Sequence, residues 1–88
     1  MQKVTHVTPL ANRMIAVEFA DGLKGTFNVA PYMRSDFFKK LEDEDYFRQV
    51  RIFFGGVGWP EGHDLGPDTI AAELMTTRIN SGDLDNQS

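Results

Sequence analysis

The residues that are able to do chemistry lie close together in one short segment of the chain. Glu61, His63, Asp64 and Asp68 fall within eight consecutive positions, and carboxylates beside an imidazole can hold a cation or move a proton. The spacing matches no metal motif of the H-x-x-x-H or H-E-x-x-H type, because the other histidine, His6, lies far away in sequence. The segment therefore offers a candidate ligand-binding or hydrolytic site whose chemistry the spacing does not specify.

The sequence contains no arranged nucleophile. It has no cysteine, and none of its serines lies at a sharp turn from a strand into a helix, where a nucleophilic serine is presented to its substrate. We therefore predict no catalytic residue, no metal site and no cofactor, and we do not favour an enzymatic activity.

Structural roles compete with binding for the same residues. Pro67 suits the first position of a helix, where its missing N–H costs nothing, and Asp64 is placed to cap backbone N–H groups of that helix and of the preceding turn. Trp59 either covers the edge of a small core or stays exposed as an aromatic anchor for a partner. Both alternatives remain open, and the candidate binding residues are Trp59, Pro60, His63, Asp64 and Asp68.

Alternation of apolar and polar residues predicts three antiparallel strands in the first third of the chain. The predicted strands cover residues 3–8, 13–19 and 23–29. Asp21 and Gly22 predict a hairpin turn between the second and third strands, because both tolerate a positive φ. Gly25 falls on the inward face of the third strand, where it leaves room for a bulky neighbour or marks a bulge.

Helical turns are predicted next. Ser35 suits the N-cap of a short helix over 35–41. Asp43 starts a further helical turn, because the N-terminus of a helix favours negative charge. The acidic run 42–45 is interpreted as capping rather than as a cation site, since four adjacent side chains cannot converge on one point.

Two more strands and a last helix complete the pattern. The strands are predicted at 50–54 and 57–59, with a hairpin turn at Gly55–Gly56. The helix begins at Pro67 and is predicted to run to residue 77 or 78.

The resulting order, β-β-β-α-β-β-α, predicts a two-layer α+β domain with a mostly antiparallel sheet and helices on one face. The chain has 88 residues, which is the size of one domain. We place this domain at residues 1–79 and expect the polar tail, 80–88, to be disordered.

Charge and hydropathy exclude several kinds of partner. Residues 1–34 carry four basic and two acidic side chains, whereas residues 35–88 carry five basic and eleven acidic ones. The net charge of −4 repels a phosphate backbone, so we predict no nucleic-acid binding by this domain alone. We predict no signal peptide and no membrane-spanning run, and the sequence lacks cysteine, so we expect a cytoplasmic protein without membrane contact.

Three patterns resemble a known bacterial family. They are V-x-F-x-D-G at 17–22, the helical residues Phe38, Leu41 and Phe47, and above all W-P-x-G-x-D-L at 59–65 followed by Pro67-Asp68. Over about residues 4–74 they make the chain similar to the domain-of-unknown-function family twenty-four forty-two (DUF2442). The resemblance implies toxin-like protein partners and no established catalytic residues; some members also carry a helix-turn-helix domain after this one.

Three hypotheses about function follow. The first is a non-enzymatic protein-interaction module, antitoxin-like in form, that uses open sheet edges and Trp59 and that leaves self-association open. The second is a small ligand-binding or hydrolytic site built from His63, Asp64, Asp68 and Glu61. The third is the sensory domain of a regulator that lacks its DNA-binding part.

Overall fold

Two small antiparallel sheets carry much of the regular structure in the computed structural model of the chain, which describes residues 2–74. The first sheet contains β1 (Val4–Pro9), β2 (Met14–Phe19) and β3 (Lys24–Asn28), in that order. The second contains β4 (Arg51–Phe53), β5 (Gly56–Gly58) and β6 (Asp64–Leu65), also in that order. The predicted tail at 80–88 and the predicted end of the last helix lie outside the described residues.

Short helices connect and cover the sheets. The α-helices are α1 (Glu44–Phe47) and α2 (67–74), and three 3₁₀ helices span Ala11–Arg13, Ala30–Arg34 and Lys39–Glu42. The predicted α+β class with antiparallel strands is confirmed. Within residues 2–74, no helix has the length and apolar character needed to cross a membrane.

Both sheets and both α-helices contribute apolar side chains to one common core. Full burial of a large apolar side chain contributes about 1.5–3 kcal/mol, so these contacts dominate the stability of such a small fold. The largest fully buried side chains are Phe19, Phe27, Phe47, Ile15, Leu41 and Ile70.

Gly25 makes room for α2 on the inner face of the first sheet. It lies opposite Val17 in the register of β2 and β3, and a Cβ atom at Gly25 would stand only 3.1 Å from Cδ2 of Leu74. The predicted bulky neighbour of Gly25 is therefore a leucine of the last helix.

The turn between β4 and β5 lies one residue earlier than predicted. Its central residues are Phe54 and Gly55, at φ 48° and 81°, whereas Gly56 pairs with Phe53 inside the sheet. Gly56 fits at this place in the sheet because it has no side chain: a Cβ atom there would collide with the carbonyl oxygen of Leu65 in β6.

The same turn forms a hydrogen bond that connects the second sheet to the first. The backbone N–H of Val4 in β1 donates to the carbonyl of Gly55 at 2.8 Å. The β4–β5 hairpin is thus held against the first sheet at its tip.

The predicted helix over 35–41 is wrong. Ser35 follows the 3₁₀ helix Ala30–Arg34 in an extended conformation, and its hydroxyl accepts the N–H of Phe37 at 3.2 Å. The segment instead forms successive i→i+3 turns, which bring Phe38 against the core and bury Leu41 completely. Tertiary packing of these apolar side chains outweighs the weak helical preference of the segment.

The predicted capping by the acidic run is confirmed at one position. The carboxylate of Asp43 accepts the N–H groups of Asp45 at 3.0 Å and Tyr46 at 3.4 Å. This cap starts α1, whose residues Tyr46 and Phe47 are both buried.

Candidate functional site

A tight hairpin loop forms the segment in which the candidate site residues lie. The N–H of Gly62 donates to the carbonyl of Trp59 at 3.1 Å, and the N–H of Trp59 donates to the carbonyl of His63 at 2.8 Å. Pro60 lies at the loop position that favours a fixed φ, and Gly62 adopts φ 104°, which residues with a Cβ rarely reach. The pattern W-P-E-G-H thus encodes a three-residue hairpin loop that ends in a glycine at positive φ.

Strand β6 on the far side of this loop is a feature that sequence reasoning missed. Asp64 pairs with Gly58 and Leu65 with Val57. Two residues are too few to show the alternation by which strands are recognised.

Trp59 belongs to the core. Its side chain is 2% exposed, and its Nε1–H donates to the carbonyl of Phe47 at 2.9 Å. Of the two alternatives for this residue, the structure supports the one in which the ring covers the core. The indole fixes the hairpin loop against α1.

His63 is a buried polar side chain beside the same helix. It is 6% exposed, and its Nδ1 lies 2.8 Å from the hydroxyl of Tyr46. That hydroxyl also accepts the backbone N–H of Glu61 at 2.9 Å. Within residues 2–74, Nδ1 is the only acceptor that this hydroxyl contacts, so we infer that the hydroxyl donates to Nδ1 and that the proton of a neutral imidazole lies on Nε2.

Aromatic rings surround this imidazole. The ring centroids of Phe37, Phe38 and Tyr46 lie 4.7, 5.8 and 5.5 Å from that of His63. Phe37 is 57% exposed and so forms the solvent-facing wall of the cluster. Sequence reasoning missed Phe37 and Tyr46, because the helix predicted over 35–41 gave no reason to place them beside the hairpin loop.

One ion pair lies at the edge of the cluster. The ammonium of Lys40 is 5.3 Å from the centroid of the Tyr46 ring and 3.2 Å from Oε2 of Glu61. Both side chains are about half exposed, so water weakens their attraction. We name the set Phe37, Phe38, Lys40, Tyr46, Glu61 and His63 the histidine cluster.

The other two predicted acids do not join this cluster. Asp64 is exposed on β6 and caps no backbone N–H among residues 2–74, so its predicted capping role is wrong. Gly66 directly precedes α2, and its carbonyl accepts the N–H of Ile70 at 3.3 Å, which is a backbone bond of the helix itself. Asp68 is exposed in the first turn of α2, and within residues 2–74 no three His, Cys, Asp or Glu side chains are placed to hold a metal ion.

A second unusual feature lies at the opposite end of β5. Phe54 combines φ 48° with 88% exposure of its side chain. Ile52, on the adjoining strand, is 46% exposed. The rings of Phe53 and Phe54 pack edge to face, with their centroids 4.5 Å apart. Periodicity alone could not find this feature, because Phe54 fits the apolar run that predicts a strand.

A family model matches residues 4–75 of the chain, which include both sheets, the histidine cluster and the β4–β5 hairpin. The chain belongs to DUF2442, a family of proteins of unknown function. No curated protein and no solved structure gives a match. That W-P-x-G-x-D-L is the signature of DUF2442 stays a prediction.

The outer face of the first sheet of this DUF2442 domain forms a shallow concavity of about 340 Å³. Its lining includes Ala16 and a row across the three strands made by His6, Glu18 and Lys24. Nδ1 of His6 lies 3.8 Å from Oε1 of Glu18, and both side chains are exposed. An antiparallel sheet commonly leaves one face to solvent, which accounts for this concavity.

Asp21 and Tyr32 of the DUF2442 domain have pKa values displaced from their usual ranges. The side-chain amide of Gln2 and the N–H of Leu23 donate to Asp21, which lowers the pKa of its carboxyl group. Burial, together with the charge of Glu73, raises the pKa of the Tyr32 phenol. Neither shift indicates an acid or a base poised for catalysis near neutral pH.

Proposed function

We propose that this DUF2442 domain is a cytoplasmic, non-enzymatic protein-interaction module that binds a protein partner through the β4–β5 hairpin. The observation that carries the proposal is Phe54, an aromatic residue with positive φ and 88% exposure. Strained backbone positions cluster at functional sites, and aromatic residues are enriched at protein interfaces.

The backbone strain at Phe54 supports a role for this residue in binding a partner rather than in stabilising the isolated fold. Left-handed backbone costs a residue with a Cβ about 1–2 kcal/mol, and asparagine before glycine is the favoured pair in such hairpins. The chain instead places phenylalanine before Gly55, where its ring is almost fully exposed. Burial of that ring in an apolar pocket of a partner would repay the strain.

The hairpin also presents its ring on a fixed base. Gly55 is hydrogen bonded to Val4 of the first sheet at 2.8 Å, and Ile52 adds apolar surface beside Phe54. A fixed anchor loses little conformational entropy on binding. The family resemblance makes a toxin-like protein the specific partner of this proposal, and a second copy of the chain is the alternative.

The proposal is tested by photo-crosslinking in bacterial cells that express the chain with its neighbouring genes. Benzoylphenylalanine replaces Phe54 in one variant and Thr26, on the outer face of the first sheet, in the control. We expect one discrete heterologous adduct from position 54 and none from position 26. An adduct of twice the mass of the chain would indicate self-association instead, and no adduct from position 54 would contradict the proposal.

A further inference from the structure

The histidine cluster contains a hydrogen-bond donor that no group within residues 2–74 uses. Of the two ring nitrogens of His63, only Nδ1 has a hydrogen-bond partner in that part of the chain. Every fully buried side-chain nitrogen or oxygen in that part of the chain has a partner, so Nε2 is not fully buried. The inferred tautomer places the ring proton on this nitrogen, which therefore presents an N–H donor that is not fully buried.

An exposed aromatic ring and a lysine belong to the same cluster as this donor. Phe37 is the nearest of the surrounding rings, at 4.7 Å, and it is more than half exposed. Lys40 lies over the face of Tyr46, the ring whose hydroxyl holds His63. The long side chain of lysine can reorient to bring its ammonium to a bound group.

We propose that His63 Nε2–H and the ammonium of Lys40 bind the carboxylate of a small organic acid whose apolar body packs on Phe37. Both groups are donors, and a carboxylate is acceptor-only with two oxygens. Hydrogen bonds to an ionised group are about twice as strong as neutral ones. The site is independent of the β4–β5 hairpin and of any protein partner.

Glu61 is the natural competitor at this site. Its carboxylate already forms an ion pair with Lys40, with Oε2 at 3.2 Å from the ammonium. Its backbone N–H donates to the Tyr46 hydroxyl and helps to position it. Neutralising Glu61 should release Lys40 for the ligand without disturbing the backbone contact. The proposed site therefore predicts that substitution of Lys40 weakens carboxylate binding and that neutralisation of Glu61 strengthens it. A cluster with a structural role alone predicts neither effect.

The experiment uses the intact chain and sodium benzoate as the probe, with the side-chain NMR signals of His63 as the readout and those of His6 as an internal control. We expect benzoate to shift the His63 signals saturably, and acetate to bind more weakly because it lacks a ring to pack on Phe37. Lys40→Met should weaken benzoate binding about fivefold, as expected for an exposed ion pair. Glu61→Gln should tighten it, and Lys39→Met, the matched control, should leave it unchanged.

Three results would overturn the proposal. The first is the lack of a saturable shift at His63. The second is an equal shift at His6, which indicates a non-specific salt effect. The third is benzoate affinity that is the same in Lys40→Met as in the parent chain. Because Lys40 and Glu61 are both about half exposed, their variants keep the core intact, and circular dichroism verifies that each variant is folded.

Discussion

The hydroxyl of Tyr46 lies 2.8 Å from Nδ1 of His63, so helix α1 and the β5–β6 hairpin share one hydrogen bond between buried side chains. The same oxygen accepts the N–H of Glu61 at 2.9 Å. One phenol thus orders the loop and fixes the orientation of the imidazole. The positions of the His63 ring and of the Glu61 N–H depend on this hydroxyl.

Tyr46→Phe should therefore destabilise the fold while leaving its shape intact. It leaves Nδ1 of His63 and the N–H of Glu61 without their partner, and an unsatisfied buried polar group costs about 1–3 kcal/mol. Urea denaturation followed by circular dichroism measures the change in the free energy of unfolding. Tyr32→Phe is the matched control, and an equal loss in both variants would show that the Tyr46 hydroxyl adds nothing specific.

Gly62 should be required for its backbone conformation rather than for space. No atom lies within 4 Å of the position where its Cβ would be, yet its φ is 104°. Gly62→Ala should lower the free energy of unfolding by about 1–2 kcal/mol. Gly62→Asn should lose less, because asparagine tolerates positive φ better than alanine; the reverse order would contradict the strain argument.

Phe54→Asn should make the isolated chain more stable. The change produces the favoured Asn-Gly pair at the turn and relieves about 1 kcal/mol of strain, at the cost of a mostly exposed contact with Phe53. The denaturation midpoint should therefore rise, whereas Ile52→Thr, an exposed control on the adjoining strand, should not raise it.

If the proposed function is correct, binding of the crosslinked partner should fall in the same Phe54→Asn variant, and undiminished binding would count against it.

The β2–β3 turn should make stability depend on acid pH. Hydrogen bonds from Gln2 and Leu23 lower the pKa of Asp21 below its usual 3.8, so folding favours the charged carboxylate. Its contribution is present above the unfolded pKa and is lost as pH falls through the lowered folded pKa. Between about pH 5 and about pH 2, the denaturation midpoint of Asp21→Asn should fall less steeply than that of the parent chain; parallel curves would refute the assignment.

The first sheet was predictable from the sequence because its signals are local. Ile15, Val17 and Phe19 alternate with more exposed residues, as their burial confirms, and the turn at Asp21 and Gly22 has typical hairpin residues. The first strand was found as well, although a bulge after Val4 changes its register. Each of these elements follows from neighbours in sequence.

The candidate site was only partly predictable, because distant residues build it. His63 was identified as a polar residue in a structured loop, but its partner Tyr46 lies seventeen residues away. Phe37 reaches the site only because 35–41 folds into irregular turns rather than a helix. The exposure of Phe54 depends on the one-residue shift of the turn, which places Gly56 against Leu65 of β6 and which no local pattern reports.

The burial of Trp59 has a spectroscopic consequence. It is the sole tryptophan of the chain, and its indole N–H is held by the carbonyl of Phe47 in α1. Its fluorescence should therefore peak at short wavelength in the native state and shift to the red when α1 separates from the β5–β6 hairpin. The molecule thus carries a built-in optical probe of that junction, which requires no label and lies away from the Phe54 surface.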